Sequence, residues 1–307
     1  MVLIVRNSFG CYSRISQCIK RHSKQTIGVR YCTRVKQPVL LFDEDRYNGV
    51  TANLQQVDIN TVKTEDFSVQ LAESLKIWKE ENRTAAWLQV PITHSILIAI
   101  AGDLGFQYHH AEGNKAMLKL WLQTYREDPT PLFATHQVGV SGFVLNEENN
   151  EVLVVQDKNR PYTLWKFPGG LSNLGEDIGD TAVREVFEET GIKCEFKSIL
   201  SFRQQHQHPG AFGRSDFYVI CRLKPLTFSI SACSDEIRQC KWMHISDIKQ
   251  EVEASSLTKR LADMMEFGLA NGFDKIDIHC EEMKSVYKGL KFKLYHRPFS
   301  IQNKSTD

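Results

Sequence analysis

The chain has 307 residues, of which 42% are hydrophobic and 24% charged, the composition of an ordinary globular protein long enough for two domains with separate cores. No run of 18 or more apolar residues occurs, so the sequence predicts no transmembrane helix. The eight cysteines form no C-x-x-C pair and no zinc-like spacing, which favours reduced, mostly buried thiols in an intracellular protein.

The amino terminus differs in charge from the rest of the chain. Residues 1–42 contain eight Lys or Arg and no acidic residue, which leaves 30 basic against 37 acidic residues for the remainder. A serine-containing, acid-free basic segment is typical of mitochondrial transit peptides, so we expect residues 1–42 to be a targeting arm. A disordered basic tail, or a nuclear or cytoplasmic protein, is the alternative. The acidic remainder argues against a nucleic-acid-binding surface.

Residues 46–125 read as a compact α/β unit. Apolar residues at i, i+4, i+8 and i+11 predict a helix from Thr64, and they are Phe67, Leu71, Leu75 and Trp78. Strands are predicted over 84–90 and 117–122, with a second helix over 96–104 and a hairpin region near 106–111. His109 and His110 are adjacent in this region. Side chains of neighbouring strand residues point to opposite sides, so we expect no shared metal there.

Residues 126–135 are rich in Pro and Asp and predict a linker. A second domain is predicted over 136–295, followed by a polar tail over 296–307. Its predicted strands cover 136–145, 152–156, 194–204, 216–223 and 237–243, and a closing helix covers 257–270. Strands on either side of helices favour a layered α/β domain.

Three carboxylates mark the centre of this second domain. Glu185, Glu188 and Glu189 stand at i, i+3 and i+4, so a helix would gather them on one side despite their mutual repulsion. Asp177 or Asp180 can cap that helix, and Gly191 can supply the left-handed residue that ends it. Taken alone, a Glu-rich helix face is more often simply solvated than bound to a metal.

A longer pattern changes that interpretation. The segment reads G-x5-E-x7-R-E-U-x-E-E-x-G-U, where U is a bulky aliphatic residue, with fixed positions at Gly170, Glu176, Arg184, Glu185, Glu188, Glu189 and Gly191. With every fixed position filled, the sequence resembles the Nudix hydrolase family. The resemblance implies an α/β (α+β) fold in which the second domain is a Nudix α-β-α sandwich. The stretches 87–91 and 105–112 resemble the smaller, acetyltransferase-like domain that precedes the Nudix fold in part of the family.

The resemblance also implies roles for these residues. Glu185 and Glu189 would be the main metal ligands, joined by Glu188 and the carbonyl of Gly169, while Arg184 would orient Glu185. Glu176 and Gly170 would position the ligands without binding the metal themselves. Oxygen donors without Cys or His suit Mg²⁺ or Mn²⁺. The general base stays open between Glu185, the pair Asp235 and Glu236, and a histidine in the 206–208 loop.

Further stretches, at 203–206, 210–225 and 242–243, resemble family members with this additional domain. They imply substrate contacts from His206, Phe212, Arg214 and Asp216. The implied reaction is metal-dependent hydrolysis of a nucleoside diphosphate linked to another group, of ADP-ribose or NADH type, into two monophosphates. The alternatives are a low-activity nucleotide-sensing or partner-binding regulator of cell proliferation and, less favoured by the acidic body, an RNA-cap hydrolase. Some relatives form homodimers, so a homodimer is a further expectation.

Overall fold

The computed structural model describes residues 39–159 and 163–299, and it divides into two compact units between Phe133 and Ala134. The predicted targeting arm up to residue 38 and the predicted tail from residue 300 lie outside the described residues, so both stay predictions. Among the described helices, none has both the length and the apolar character needed to span a bilayer.

The amino-terminal unit is one five-stranded sheet with two helices. Its elements are β1 (Asp43–Glu44), β2 (Val50–Asn53), α1 (Thr64–Glu80), β3 (Ala85–Pro91), α2 (Ile96–Asp103), β4 (Gln107–Glu112) and β5 (Lys115–Trp121). The strand order is β1-β2-β3-β5-β4, and β2 and β3 are the parallel pair. The apolar stripe of α1 is buried in the core of this unit, which confirms the predicted helix.

The prediction that His109 and His110 point to opposite sides of their strand is wrong. The register of β4 against β5 shifts between Tyr108 and His110, and this bulge brings the two Nδ1 atoms within 2.8 Å of each other. His109 Nε2 lies 2.9 Å from the carbonyl oxygen of Pro131. Because a carbonyl can only accept, a neutral His109 donates from Nε2 and accepts from His110 at Nδ1.

The predicted linker begins inside the amino-terminal unit. The ring of Phe133 stacks on His110 at 4.1 Å between centroids, and Lys119 forms an ion pair with Asp128. At the other end of the unit, the Leu40 amide donates to Ser74 Oγ at 3.0 Å. Residues 39–42 and 126–133 therefore belong to this fold.

The carboxy-terminal unit is built on a six-stranded mixed sheet. Its elements are β6 (His136–Asn146), β7 (Glu151–Asp157), β8 (Gly169–Leu171), α3 (Ile178–Thr190), β9 (Cys194–Gln205), β10 (Ser215–Pro225), β11 (Ile237–His244), α4 (Ile245–Gln250), α5 (Ser256–Asn271), β12 (His279–Lys284) and β13 (Lys291–His296). The strand order is β11-β7-β6-β10-β9, with β8 added to β6 and β10 parallel to β6. Strands β12 and β13 form a separate hairpin, which was not predicted from the sequence.

Helices cover both faces of this sheet. Residues such as Val140 and Val219 pack against Ala182 and Val186 of α3 on one face. On the other face, Phe143, Ile220 and their neighbours pack against Leu261, Met265 and the rest of α4 and α5. The predicted α-β-α sandwich is confirmed.

Gly142 brings α3 close to the sheet. A Cβ atom at this position would lie 2.5 Å from Val186 Cγ2, so a larger residue would push the helix outward. Strand β6 pairs with β7 only at residues 145–146 and with β8 at residues 139–141. This arrangement places the two glycines of β8 beside the acidic side of α3.

Candidate active site

Helix α3 ends at a left-handed glycine, and a contact from another element holds its start. Gly191 adopts φ +73° and its amide donates to the Phe187 carbonyl at 2.8 Å, as the predicted left-handed end requires. Asp177 stands at the N-cap position, but its carboxylate makes no capping hydrogen bond. It accepts instead from Lys293 Nζ of β13 at 2.7 Å, so the hairpin holds the start of the helix.

Arg184 holds the acidic cluster together. Its Nε and Nη2 donate to the two carboxylate oxygens of Glu176, at 2.7 and 2.9 Å. Its Nη1 donates to Glu185 Oε1 at 2.7 Å and to Glu188 Oε2 at 2.9 Å. A fifth bond, from Nη2 to the Leu171 carbonyl at 3.0 Å, ties the helix to β8. All five N–H groups of the guanidinium are therefore in use.

Glu176 supports this arrangement from the loop before α3. The hydrogen bond from Arg184 lowers the pKa of Glu176 to about 2, with further help from the Asn173 amide, which donates at 3.0 Å. The carboxyl therefore stays ionised at any physiological pH and keeps Arg184 in place. The resemblance implies such a supporting role for Glu176, which stays a prediction.

Glu189 is almost fully buried, with 5% of its surface exposed. Burial raises the pKa of Glu189 to about 7, opposed by the charge of Lys166 and by the Gly169 amide, which donates to Glu189 Oε2 at 3.0 Å. Lys166 itself pairs with Asp157 at 2.8 Å. Sequence reasoning missed Lys166 as part of the site, although it lies only three residues before Gly169.

Glu185 lies against the backbone of β8. A Cβ atom at Gly170 would sit 2.5 Å from Glu185 Oε2, so a side chain at this position would displace the carboxylate. Burial raises the pKa of Glu185, and the charges of Glu188 and Glu236 raise it further against the opposing effect of Arg184. Glu236 is exposed in the loop before β11. Its negative charge acts on Glu185, which lies far from it in the sequence.

Within the described residues, no three Asp, Glu, His or Cys side chains converge in the arrangement of a metal shell. Arg184 draws Glu185 and Glu188 to one of its nitrogens, while Glu189 turns to the Gly169 amide. The donors nevertheless fit a hard divalent cation. They are carboxylate oxygens close enough for their charges to raise one another's pKa. They lie beside Gly170, where a Cβ atom would take the space that Glu185 occupies.

The predicted substrate residues lie on and beside the β9–β10 loop. Phe212 is 94% exposed with φ +48°, and Arg214 is half-buried. His206 is exposed, with Nδ1 2.7 Å from Ser215 Oγ. Asp216 differs from these three, because it is 3% exposed and accepts from Arg203 Nη2 at 2.5 Å.

Comparisons with known proteins agree with this geometry. The profile of the Nudix hydrolase domain matches residues 40–122, and that of the NUDIX domain matches residues 135–264. Nucleoside diphosphate-linked moiety X motif 6 of Homo sapiens is 50% identical over 256 residues, covering 82% of this chain and 80% of that protein. The same protein of Mus musculus is 48% identical over 256 residues, covering 82% and 81%.

A plant relative extends the similarity. Nudix hydrolase 8 of Arabidopsis thaliana is 36% identical over 258 residues, covering 82% of this chain and 68% of that protein. The two matched regions correspond to the two units of the structure, and the acidic helix lies in the second. The chain therefore belongs to the Nudix hydrolase family, and it is a pyrophosphohydrolase with an additional amino-terminal domain.

Proposed function

We propose that this chain hydrolyses a nucleoside diphosphate linked to a second group, of ADP-ribose or NADH type, with Mg²⁺ or Mn²⁺. Water attacks one phosphorus, the bond from that phosphorus to the bridging oxygen breaks, and two monophosphates leave. The observation that carries the proposal is the carboxylate cluster of α3 set against Gly169 and Gly170 of β8. Nudix hydrolases generally use divalent metal ions, and this cluster supplies the oxygen donors they prefer.

The chain's own residues have separable tasks in this proposal. Glu185, Glu188 and Glu189 would hold the cation, which when bound neutralises phosphate charge and lowers the pKa of water. Arg184 is held by Glu176, and it would keep the Glu185 carboxylate in place while no cation is bound. Glu236 is exposed and close enough to influence Glu185, so it is our preferred general base.

The experiment compares wild type with Glu188→Gln and Glu189→Gln on ADP-ribose and NADH, with Mg²⁺ or Mn²⁺, and separates products by chromatography. We expect AMP among the products and a loss of kcat/KM of at least about tenfold in each variant, because a ligand charge is removed without a change of shape. Glu148→Gln, in the exposed turn between β6 and β7, is the matched control.

Equal turnover in wild type and both variants would remove these carboxylates from the mechanism. Nucleotide binding in calorimetry without any product would instead support a nucleotide sensor. A metal titration in the same assay tests the cofactor, since chelation by EDTA is expected to abolish turnover and added Mg²⁺ or Mn²⁺ to restore it.

A further inference from the structure

Four residues on adjacent strands form a row across the carboxy-terminal sheet, leading away from the glycines of β8. Strand register pairs Leu171 with Gly139, Gly139 with Tyr218, and Tyr218 with Arg203. Directly paired residues project from the same face of a sheet, and neighbouring strands lie about 4.8 Å apart. The backbone of Arg203 is therefore three spacings, roughly 14 Å, from Leu171.

Gly139 leaves space in this row for the ring of Tyr218. A Cβ atom there would lie 2.6 Å from Tyr218 Cδ2, so the tyrosine ring occupies the space that a side chain at position 139 would need. The same Cβ position is 3.7 Å from the Gly170 carbonyl, so the ring lies beside β8. The guanidinium carbon of Arg203 lies 5.0 Å from the centroid of the ring.

Arg203 has hydrogen-bonding capacity that the protein does not use. Its Nη2 donates to Asp216 Oδ2, while Asp216 Oδ1 accepts from Gln137 Nε2 at 3.0 Å. Since that second oxygen is taken, Arg203 Nε is buried without a hydrogen-bond partner among the described residues. The side chain is nevertheless 36% exposed, so part of the guanidinium faces solvent. A buried donor without a partner costs free energy, so its presence at Arg203 needs an explanation.

The charge and position of Arg203 indicate what it binds. Asp216 neutralises most of its charge, so the pair is a poor receptor for another phosphate and a better one for a neutral flat ring. The backbone of Arg203 lies three strand spacings from β8, a span that a nucleoside attached to a diphosphate can cross. Planar bases stack on guanidinium groups and on aromatic rings.

We propose that Arg203, supported by Tyr218 and held by Asp216, stacks against the purine base of the nucleotide half of the substrate. This assignment rests on the proposed function and identifies the residue that would select a nucleoside over other groups. The family resemblance implied substrate contacts from residues of the neighbouring loop and from Asp216, the partner of Arg203, but not from Arg203 itself.

The test uses the two halves of ADP-ribose as separate ligands of the full chain. AMP carries the base and ribose 5-phosphate does not, and binding of each is measured by calorimetry and by inhibition of ADP-ribose hydrolysis. The variants are Arg203→Met, Arg203→Lys and the double variant Arg203→Met with Asp216→Asn. The double variant avoids leaving a carboxylate buried without its cation, and thermal melts check that each protein is folded. Lys197→Met, on the same strand and paired with Glu195, is the control.

We expect the Kd of AMP to rise about tenfold in Arg203→Met and in the double variant, while the Kd of ribose 5-phosphate changes less than about twofold. The KM for ADP-ribose rises in parallel, with kcat nearly constant. Arg203→Lys behaves like Arg203→Met, because a lysine keeps the charge but not the plane.

Two results would overturn the assignment. One is unchanged AMP affinity in the folded double variant, and the other is recovery of wild-type affinity by Arg203→Lys, which would indicate a phosphate contact. If wild type neither hydrolyses ADP-ribose nor binds AMP, the proposed function falls and this assignment with it. If wild type does both and the variants give either of the two overturning results, the proposed function is kept and only the assignment of Arg203 is rejected.

Discussion

At Gly170 the backbone and the carboxylate of Glu185 approach so closely that an added methyl group would displace the carboxylate. We expect Gly170→Ala to reduce kcat for ADP-ribose by at least about tenfold, because displacement of a reacting or ligating group by about 1 Å has effects of that size. Gly210→Ala is the matched control, since a Cβ there meets its nearest neighbour at an ordinary 3.6 Å. Equal activity of the two variants would show that Glu185 moves without consequence.

Glu189 gives a pH prediction that needs no substrate. Its folded pKa of about 7 exceeds the value of 4.5 for a free carboxyl, so the folded state keeps a proton that the unfolded chain has lost between these values. The free energy of unfolding therefore falls as pH rises through this window, by about 1–3 kcal/mol for the metal-free protein. Glu189→Gln removes this loss, so in EDTA the variant should exceed wild type in stability at pH 8 but not at pH 4.5. Urea unfolding at both pH values measures it, and an equal difference at both would contradict it.

Two ion pairs attach the carboxy-terminal segment to the rest of its unit, one to strand β10 and one to the start of helix α3, and they differ greatly in burial. Arg222 of β10 holds Asp277 through Nε at 3.0 Å and Nη2 at 2.5 Å, and Asp277 is 2% exposed. Lys293 and Asp177 form a half-exposed pair. Arg222→Met should lower the free energy of unfolding by about 3–5 kcal/mol, because it leaves a buried charge unpaired. Lys293→Met should cost about 1 kcal/mol or less, and similar losses in urea unfolding would contradict this contrast.

Elements with strong local patterns were predictable. The apolar stripes of α1 and α3 and the glycine that ends α3 are all visible at short sequence spacing. Helix α4 has six residues, too few to show the apolar periodicity of a helix. Strand β8 contains two glycines, which have no strand preference, so it is a strand because it pairs with β6. Strands β12 and β13 leave Met283 and Phe292 partly exposed while Lys293 faces α3, which reverses the usual pattern of a half-buried hairpin.

The candidate site, too, was predictable from the sequence only in part. Spacing alone places Arg184 and the three glutamates of α3 on one side of a helix, and the family pattern adds Glu176. Contacts between distant segments were not readable, among them the Lys166 charge beside Glu189 and the ion pair of Arg203 with Asp216. Such pairs depend on strand register and loop path, which local spacing does not determine.

For the whole molecule, each unit has a hydrophobic core of its own. The amino-terminal core uses residues between 40 and 122, and both carboxy-terminal cores use residues from 140 onward. We expect fragments 39–133 and 134–299 to fold separately, each with a cooperative thermal transition by circular dichroism. ADP-ribose hydrolysis should remain with fragment 134–299. A fragment that binds hydrophobic dyes and melts without cooperativity would show that the units depend on each other.

The five hydrogen bonds of Arg184 have a consequence for which substitutions this position tolerates. They serve four separate chemical partners, namely three carboxylates and a backbone carbonyl, from one rigid plane. A lysine would carry the same positive charge but only three donors from a single point, so at least two acceptors would go unserved. At this position the planar shape of arginine is needed in addition to its charge.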